Sequence, residues 1–588
     1  LITLKPSALS ELTNQSFNIA KAAVLLALCL NTAVAAETAK ETKSKLTITG
    51  VEKSLASKLT EYAGKPSSQS ASGLRYWQRS VEQKMAQSLA AMGYNNTTID
   101  STLKDQQLSV KLTLGPATTY SAVDVVINGA GNEEPLLKKF VQTAAPTVGQ
   151  QLVHATYESF KSDLLSVALT LGFFDANYST HRLAVSRKNH DAKMQLQLDS
   201  GERYRYGPVS FDESKLSQEF LHRWVAFEEG DYYNSSDVDT LARELRDSGY
   251  FGSVRVRPNI DMAVDGAVPI EVDSTLREPH SATIGIGYGT DTGPRLRGSL
   301  TRHYVNKHGH SAGLEAELSA DSQELSAYYR LPHHPSPASH YLQLEAGVSN
   351  TDIDDANSLL YTLGANHHRI NSKKWHETYS LKFQHETSEI DSETNTSRLL
   401  IPGASWSREK TRTVGEWGTL KYSVDFQLSA AREALLSDIN FDRFYLKLGS
   451  GHAFSAKHLL HARMELGWLE SKDFDQVPLS LRFFAGGDDS IRGFARREVS
   501  PQDADGNAIG GRYLTTLSTE YEYRLRESLG LAVFVDMGRA GYNEYDPIAY
   551  GGGVGLRWYS PVGPIKLYVG VPLKGDDKSA RFHLSVGS

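Results

Sequence analysis

The sequence predicts an N-terminal half of small α+β domains followed by an all-β transmembrane barrel of about sixteen antiparallel strands. Three observations predict it. A helix end of the form Gly-aromatic recurs at near-equal spacing in the first half. Two-residue alternation replaces helical periodicity from about residue 281. The composition is too polar for membrane helices and suits membrane strands. Of 588 residues, 40% are hydrophobic, and the mean hydropathy is −0.38. A bundle of transmembrane helices needs repeated apolar runs of roughly 20 residues, whereas barrel strands alternate and average to a polar composition. With 28 Tyr, 20 Phe and 7 Trp, disorder over the whole length is excluded. The net charge of −7 gives no electrostatic footprint for nucleic acid.

The N-terminus reads as a secretory signal over 1–36. Lys21 precedes an apolar run, Ala22–Leu30, and small residues follow at Ala33-Val34-Ala35. The run is too short to cross a bilayer. Cleavage there removes Cys29, the one cysteine. A cysteine-free exported chain suits an oxidising compartment.

The repeat comes next. Amphipathic segments end at Gly93-Tyr94, Gly172-Phe173 and Gly249-Tyr250, so the glycines lie 79 and 77 residues apart. Each has apolar residues at helical spacing, then Gly where a positive φ is wanted. Strands open the second and third units at Ser121–Ile127 and Tyr206–Phe211. Each unit reads as strand, helix, helix, strand, strand. The expected domains are 45–118, 119–202 and 203–277. A period near 78 is too long for a solenoid.

Residues 278–588 read as the barrel. Alternation marks segments such as Thr283–Tyr288, Tyr341–Gly347, Phe444–Leu448 and Leu529–Val535. About sixteen segments have spanning length, ~9–11 residues each. Short turn clusters, Asn306–His310 and Pro332–Ala338 among them, separate these segments, and long and short connections alternate along much of the stretch, as a barrel with long outer loops and tight inner turns requires. A β-propeller would repeat every ~40–45 residues, and no such period is present. One connection, 470–511, is far longer than the rest and contains Phe483-Phe484-Ala485-Gly486-Gly487-Asp488-Asp489-Ser490-Ile491-Arg492-Gly493-Phe494. A loop of this length with an Arg among apolar neighbours is expected to fold into the lumen. There its charge needs a carboxylate partner. In the strand Ser518–Tyr523 the even positions, Glu520 among them, are polar and share a lumen face. Asp536 must also face inward, since a carboxylate in hydrocarbon costs several kcal/mol.

This loop segment resembles the loop-6 signature of the outer-membrane assembly proteins that join periplasmic POTRA domains to a sixteen-stranded barrel. The family core, Arg-Gly-aromatic, is met by Arg492, Gly493 and Phe494. Three POTRA-like units, with SGERYRYGPVSF, IGIGYGTDTGPR and SPVGPIKLYVGVPL, resemble most specifically the TamA family, the outer-membrane subunits of the translocation and assembly module. BamA-type relatives have five POTRA units. Two-partner secretion transporters have two and a plug helix. The resemblance implies that Glu520 and Asp536 are lumen partners of the loop arginine. It implies a Gram-negative outer-membrane location with periplasmic POTRA domains. Its partners would be a TamB-like periplasm-spanning protein, unfolded outer-membrane protein substrates and outer-membrane lipid, without nucleic acid. The activity implied is insertion or translocation of outer-membrane or autotransporter-type proteins by strand templating at the seam between the strands near Ala282–Gly289 and Arg581–Val586. The alternative is a two-partner-secretion-type pore exporting a polypeptide through the lumen.

No enzyme, cofactor or metal is expected. Gly551–Gly555 and Gly285–Gly289 do not link a strand to a helix, and no Gly-Lys-Ser/Thr follows, so they read as strand glycines. In Asp503–Asn507 the Gly is misplaced for a calcium loop and no Glu sits at the twelfth position. His333-His334 and His367-His368 point to opposite faces if extended. No Ser-His-Asp set has supporting context.

Overall fold

The computed structural model describes residues 44–587 apart from short stretches at 334–335, 338, 354–355, 391–392, 415–417, 505, 562 and 575–578. The segment 1–36 with Cys29, and also His334 and Asp505, lie outside the described residues. Three POTRA-type α/β domains precede a closed antiparallel barrel of sixteen strands.

The first domain runs β1 (Lys45–Thr49), α1 (Lys53–Ala63), α2 (Ala71–Ala91), β2 (Thr98–Lys104) and β3 (Gln107–Thr113). Its sheet order is β1-β3-β2, with β1 parallel to β3. Ser70 caps α2 by accepting from the Gly73 N–H at 3.1 Å. Leu74, Trp77, Val81, Met85 and Leu89 then fall on one buried face at helical spacing. Leu108, Val110 and Leu112 of β3 alternate into the same core. The second domain repeats the plan with β4 (Thr119–Asn128), α3 (Pro135–Ala144), α4 (His154–Thr170), β5 (Asn177–Ser186) and β6 (Asp191–Asp199), in sheet order β4-β6-β5. The third has β7 (Arg205–Phe211), α5 (Gln218–His222), α6 (Ser235–Asp247), β8 (Phe251–Pro258) and β9 (Ala267–Leu276), in order β7-β9-β8. Gly93, Gly172 and Gly249 end the repeated helices at φ of 89°, 87° and 81°.

The third domain and the barrel form one compact unit. Ser217 N–H donates to the Lys307 carbonyl at 2.8 Å, and the Tyr250 hydroxyl donates to the Gly309 carbonyl at 2.5 Å. Both acceptors lie in the connection between β11 (Gly293–Arg302) and β12 (Ser311–Leu318).

The barrel runs from β10 (His280–Gly289) to β25 (Arg581–Val586). In its first half short and long connections alternate as expected, but the long ones lie at the end that carries the third domain and not at the outer end. The connections at the end away from the third domain are short, 290–292 and 319–321, while those at the domain end span 303–310 and 333–339. The 303–310 connection is the one to which the third domain is hydrogen-bonded. β17 (Glu393–Val414) is a 22-residue strand, longer than its neighbours in the ladder.

The long connection, 471–512, lies between β20 (His458–Glu470) and β21 (Tyr513–Arg526). It folds inward and builds a small apolar core with the barrel wall. Phe474, Val477, Phe483 and Ile491 from the loop pack with Leu399 and Leu469 from strands. The seam is poorly paired. Among the described residues, β10 pairs with β25 only at Tyr288↔Val586 and Gly289↔Ser585.

Candidate functional site: the inward loop and its lumen partners

Arg492 is 5% exposed. Its position follows from strand alternation and a glycine. In β21, Ser518, Glu520 and Glu522 alternate inward with Thr519 and Tyr521 outward. In β22 (Leu529–Gly541), Phe534 and Asp536 point the same way. Gly493 follows Arg492 at φ 99°, where a Cβ would meet the Val571 backbone at 2.9 Å.

The guanidinium makes a two-sided grip. Its Nε donates to Asp536 Oδ2 at 2.7 Å and its Nη2 to Asp536 Oδ1 at 2.8 Å. Its Nη1 donates to Glu520 Oε2 at 2.5 Å, and Nη2 also reaches the Ser518 hydroxyl at 3.2 Å. The Arg492 backbone N–H donates to Asp536 Oδ2 at 3.0 Å. The cation lies 3.6 Å from the Phe534 ring centroid and 4.7 Å from that of Tyr568. Phe494 does not stack on it; the ring packs against the loop's apolar core.

A second layer, not singled out from the sequence, completes the charge balance. Arg557 on β23 (Ala549–Ser560) bonds Glu520, and its Nη1 lies 3.1 Å from Glu522 Oε2. Tyr568 on β24 (Gly563–Pro572) donates to Glu520 Oε1 at 3.1 Å. Glu522, fully buried, also takes Tyr559 at 2.8 Å and approaches His461 at 3.3 Å and Arg524 at 3.4 Å. Arg492, Arg524 and Arg557 thus face Glu520, Glu522 and Asp536. Buried charges persist because each is paired and hydrogen-bonded. Inward alternation was the available signal for Glu522. Arg557 and Tyr568 carried none, because which strands face the loop depends on barrel closure.

The loop tip reaches the seam. His583 on β25 is 2% exposed, and its Nδ1 lies 2.6 Å from Asp488 Oδ1. Its Nε2 accepts the Gly493 N–H at 2.8 Å. The Asp488 N–H donates to Asp291 Oδ2 at 2.5 Å. Burial pushes the Asp291 carboxyl above the usual carboxylate range, against the opposing pull of that N–H, His583 and Arg496. Ligand atoms of Asp291, Asp488 and His583 lie within 4.8 Å of one another. Both imidazole nitrogens are already committed to protein partners, so the trio is a hydrogen-bonded junction.

An inward-folded loop locked by buried charge, inside a barrel preceded by POTRA domains, defines a class of outer-membrane barrel. The Omp85 superfamily domain matches residues 279–588, more than half of the chain. The chain belongs to the Omp85 superfamily. The TamA POTRA domain 1 family matches residues 45–115, and the surface antigen variable number repeat, a POTRA family, matches 204–274. The outer membrane protein assembly factor BamA of Nitratidesulfovibrio vulgaris is 34% identical over 162 residues, 26% of this chain and 20% of that protein. The chain therefore spans about a fifth of that relative's length. BamA from Haemophilus ducreyi lacking POTRA domains 1–3 shares the fold at a TM-score of 0.65 and 17% identity, over 80% of this chain and 99% of that one. CdiB from Escherichia coli aligns at a TM-score of 0.47 and 13% identity, over 88% of this chain and 99% of that one.

Proposed function

We propose that this protein is a non-enzymatic outer-membrane assembly factor of the TamA type, which inserts or translocates outer-membrane or autotransporter-type proteins by templating strands at its seam. The observation that carries the reading is the edge of β10. Only Tyr288 and Gly289 of this strand pair with β25, leaving the stretch from His280 to Gly287 without a second strand neighbour among the described residues. Ile284 and Ile286 on that stretch are 81% and 82% exposed. In hydrocarbon, unpaired backbone groups are costly, and an incoming substrate strand satisfies them. The POTRA sheets have free edges that accept extended segments by β-augmentation, with sequence-tolerant backbone hydrogen bonds. The match of residues 45–115 to the TamA domain 1 family supports a TamB-like partner in the periplasm.

The test is a stalled outer-membrane substrate probed with photo-crosslinkers at Ile284, Ile286 and the lumen position Lys447. Crosslinks at the two isoleucines support templating. Crosslinks confined to Lys447 would favour the polypeptide-exporting pore and overturn it.

A further inference from the structure

We infer that Asp488, with His583 and Asp291, clamps the far end of the barrel seam, so that the seam is held shut by the inward loop more than by pairing of its own strands. The inference goes beyond strand templating and concerns the barrel without substrate.

Among the described residues, ladder pairing across the seam is confined to two residue pairs. Thr290 adds a local tie, donating from its N–H to the Leu584 carbonyl at 3.0 Å and accepting the Leu584 N–H on its hydroxyl at 2.5 Å. The loop then contacts both sides. On the first-strand side, the Asp488 N–H holds Asp291 in the β10–β11 turn, and Arg496 pairs with Asp321 in the turn between β12 and β13 (Ser322–Pro332). On the last-strand side, the Asp488 carboxylate and the Gly493 N–H hold His583, and Glu498 lies 3.6 Å from Arg581.

The chemistry of His583 is specific. A backbone N–H can only donate, so Nε2 must be the unprotonated nitrogen. Nδ1 then carries the proton and donates to Asp488. One side chain serves as acceptor to the Arg492-Gly493-Phe494 motif and donor to the loop tip, from the last strand of the barrel. Asp488 joins that strand to the first hairpin, with its backbone on one and its carboxylate on the other. Gly487 makes the approach possible, since a Cβ there would collide with the Asp291 carboxylate. Without the clamp, the two ladder pairs and the Thr290–Leu584 bonds would alone hold the far end of the seam.

The experiment is disulfide trapping in full-length protein in outer membranes, with Cys29→Ser as background. Tyr288→Cys with Val586→Cys reports seam closure, and Leu325→Cys with Val348→Cys, Cα partners in an interior hairpin, reports the intact barrel. His583→Leu removes donor and acceptor together. His583→Gln keeps one of each. His583→Leu is expected to raise the open-to-closed ratio of the seam about thirtyfold or more, the loss of two net hydrogen bonds, one of them to a carboxylate, with the interior pair unchanged. His583→Gln is expected to restore most of the closure. Unchanged seam trapping in His583→Leu overturns the clamp. So does an equal loss at both cysteine pairs, which would mean general destabilisation. Failure of His583→Gln to rescue also overturns it, because shape and not hydrogen bonding would then be the determinant.

Discussion

Asp536 holds Arg492 at three points, by two parallel bonds to the guanidinium and a third to the Arg492 backbone N–H. One carboxylate therefore fixes the loop's main chain as well as its charge. The second carboxylate, Glu520, is shared with Arg557. This arrangement makes the two carboxylates unequal. Losing Asp536 frees the backbone, whereas losing Glu520 leaves the bidentate bond intact.

Arg492→Ala and Asp536→Ala are each expected to destabilise loop docking by about 3–5 kcal/mol, because each leaves buried charge unpaired. The double variant should fall short of the summed costs by roughly 0.5–3 kcal/mol, the range for contacting residues. Arg492→Lys should rescue poorly, since an ammonium lacks the planar fork. Protease sensitivity of the loop on intact cells and the midpoint of heat-modifiable gel migration read the effect. Strictly additive costs would show that the two residues act independently.

The third POTRA domain should resist removal from the barrel. Phe220 is buried among Trp224 and Tyr250, and a Cβ on Gly309 would collide with its ring. Burial pushes the Tyr250 hydroxyl up to about 12, so it remains a donor to Gly309 at neutral pH. Phe220→Ala is expected to cost about 3–5 kcal/mol, and Tyr250→Phe about 0.5–1.5 kcal/mol. Limited proteolysis should release the domain faster in the first variant than in the second. Equal release from both and from wild type would contradict the docking.

Asp291 gives the seam a pH dependence of definite sign. Its folded-state pKa is raised, chiefly by burial. The stabilisation associated with its protonated form is present below the unfolded value near 3.9 and is lost as pH rises through the higher folded value. Ionised Asp291 therefore opposes the folded turn at neutral pH. Asp291→Asn keeps an oxygen to accept the Asp488 N–H and removes the charge. The variant should have a higher heat-modifiability midpoint than wild type near neutral pH, with the difference shrinking in acid. A midpoint difference that stays constant from about pH 4 to about pH 8 would exclude Asp291 as its source.

The domain repeat was legible because helix ends demand glycine, and three such ends recur in phase. The barrel was legible because a strand between lipid and lumen must alternate. The end that carries the long loops was not, since the turn clusters at Asn306–His310 and Pro332–Ala338 do not say which end of a strand they follow. At the site, Glu520 and Asp536 could be placed on a lumen face from alternation. Their assignment as partners of Arg492 came from the resemblance. Asp488, His583 and Arg557 were silent. Asp291 and Asp488 are nearly two hundred residues apart in sequence, and only closure of the barrel and inward folding of the loop bring them together.

The glycine run 551–553 illustrates the same limit and supplies a sharp test. From the sequence these residues are strand glycines. In the structure a Cβ on Gly551 would collide with the Arg492 carbonyl oxygen, a backbone atom fixed by the Asp536 grip. A Cβ on Gly552 would instead meet the end of the Leu573 side chain at 3.0 Å, which rotates away. Neither glycine has a positive φ, so alanine brings no backbone strain and the contrast is purely one of contact. Gly551→Ala should push Arg492 off its carboxylates and reproduce much of the Arg492→Ala phenotype, a loosened loop in an inserted barrel. Gly552→Ala should cost no more than about 1–3 kcal/mol, the scale of an ordinary overpacking, and leave the loop docked. The measurement is the same protease protection of the loop, with heat-modifiable migration confirming insertion. Equal behaviour of the two variants would mean that the loop backbone does not rest on Gly551.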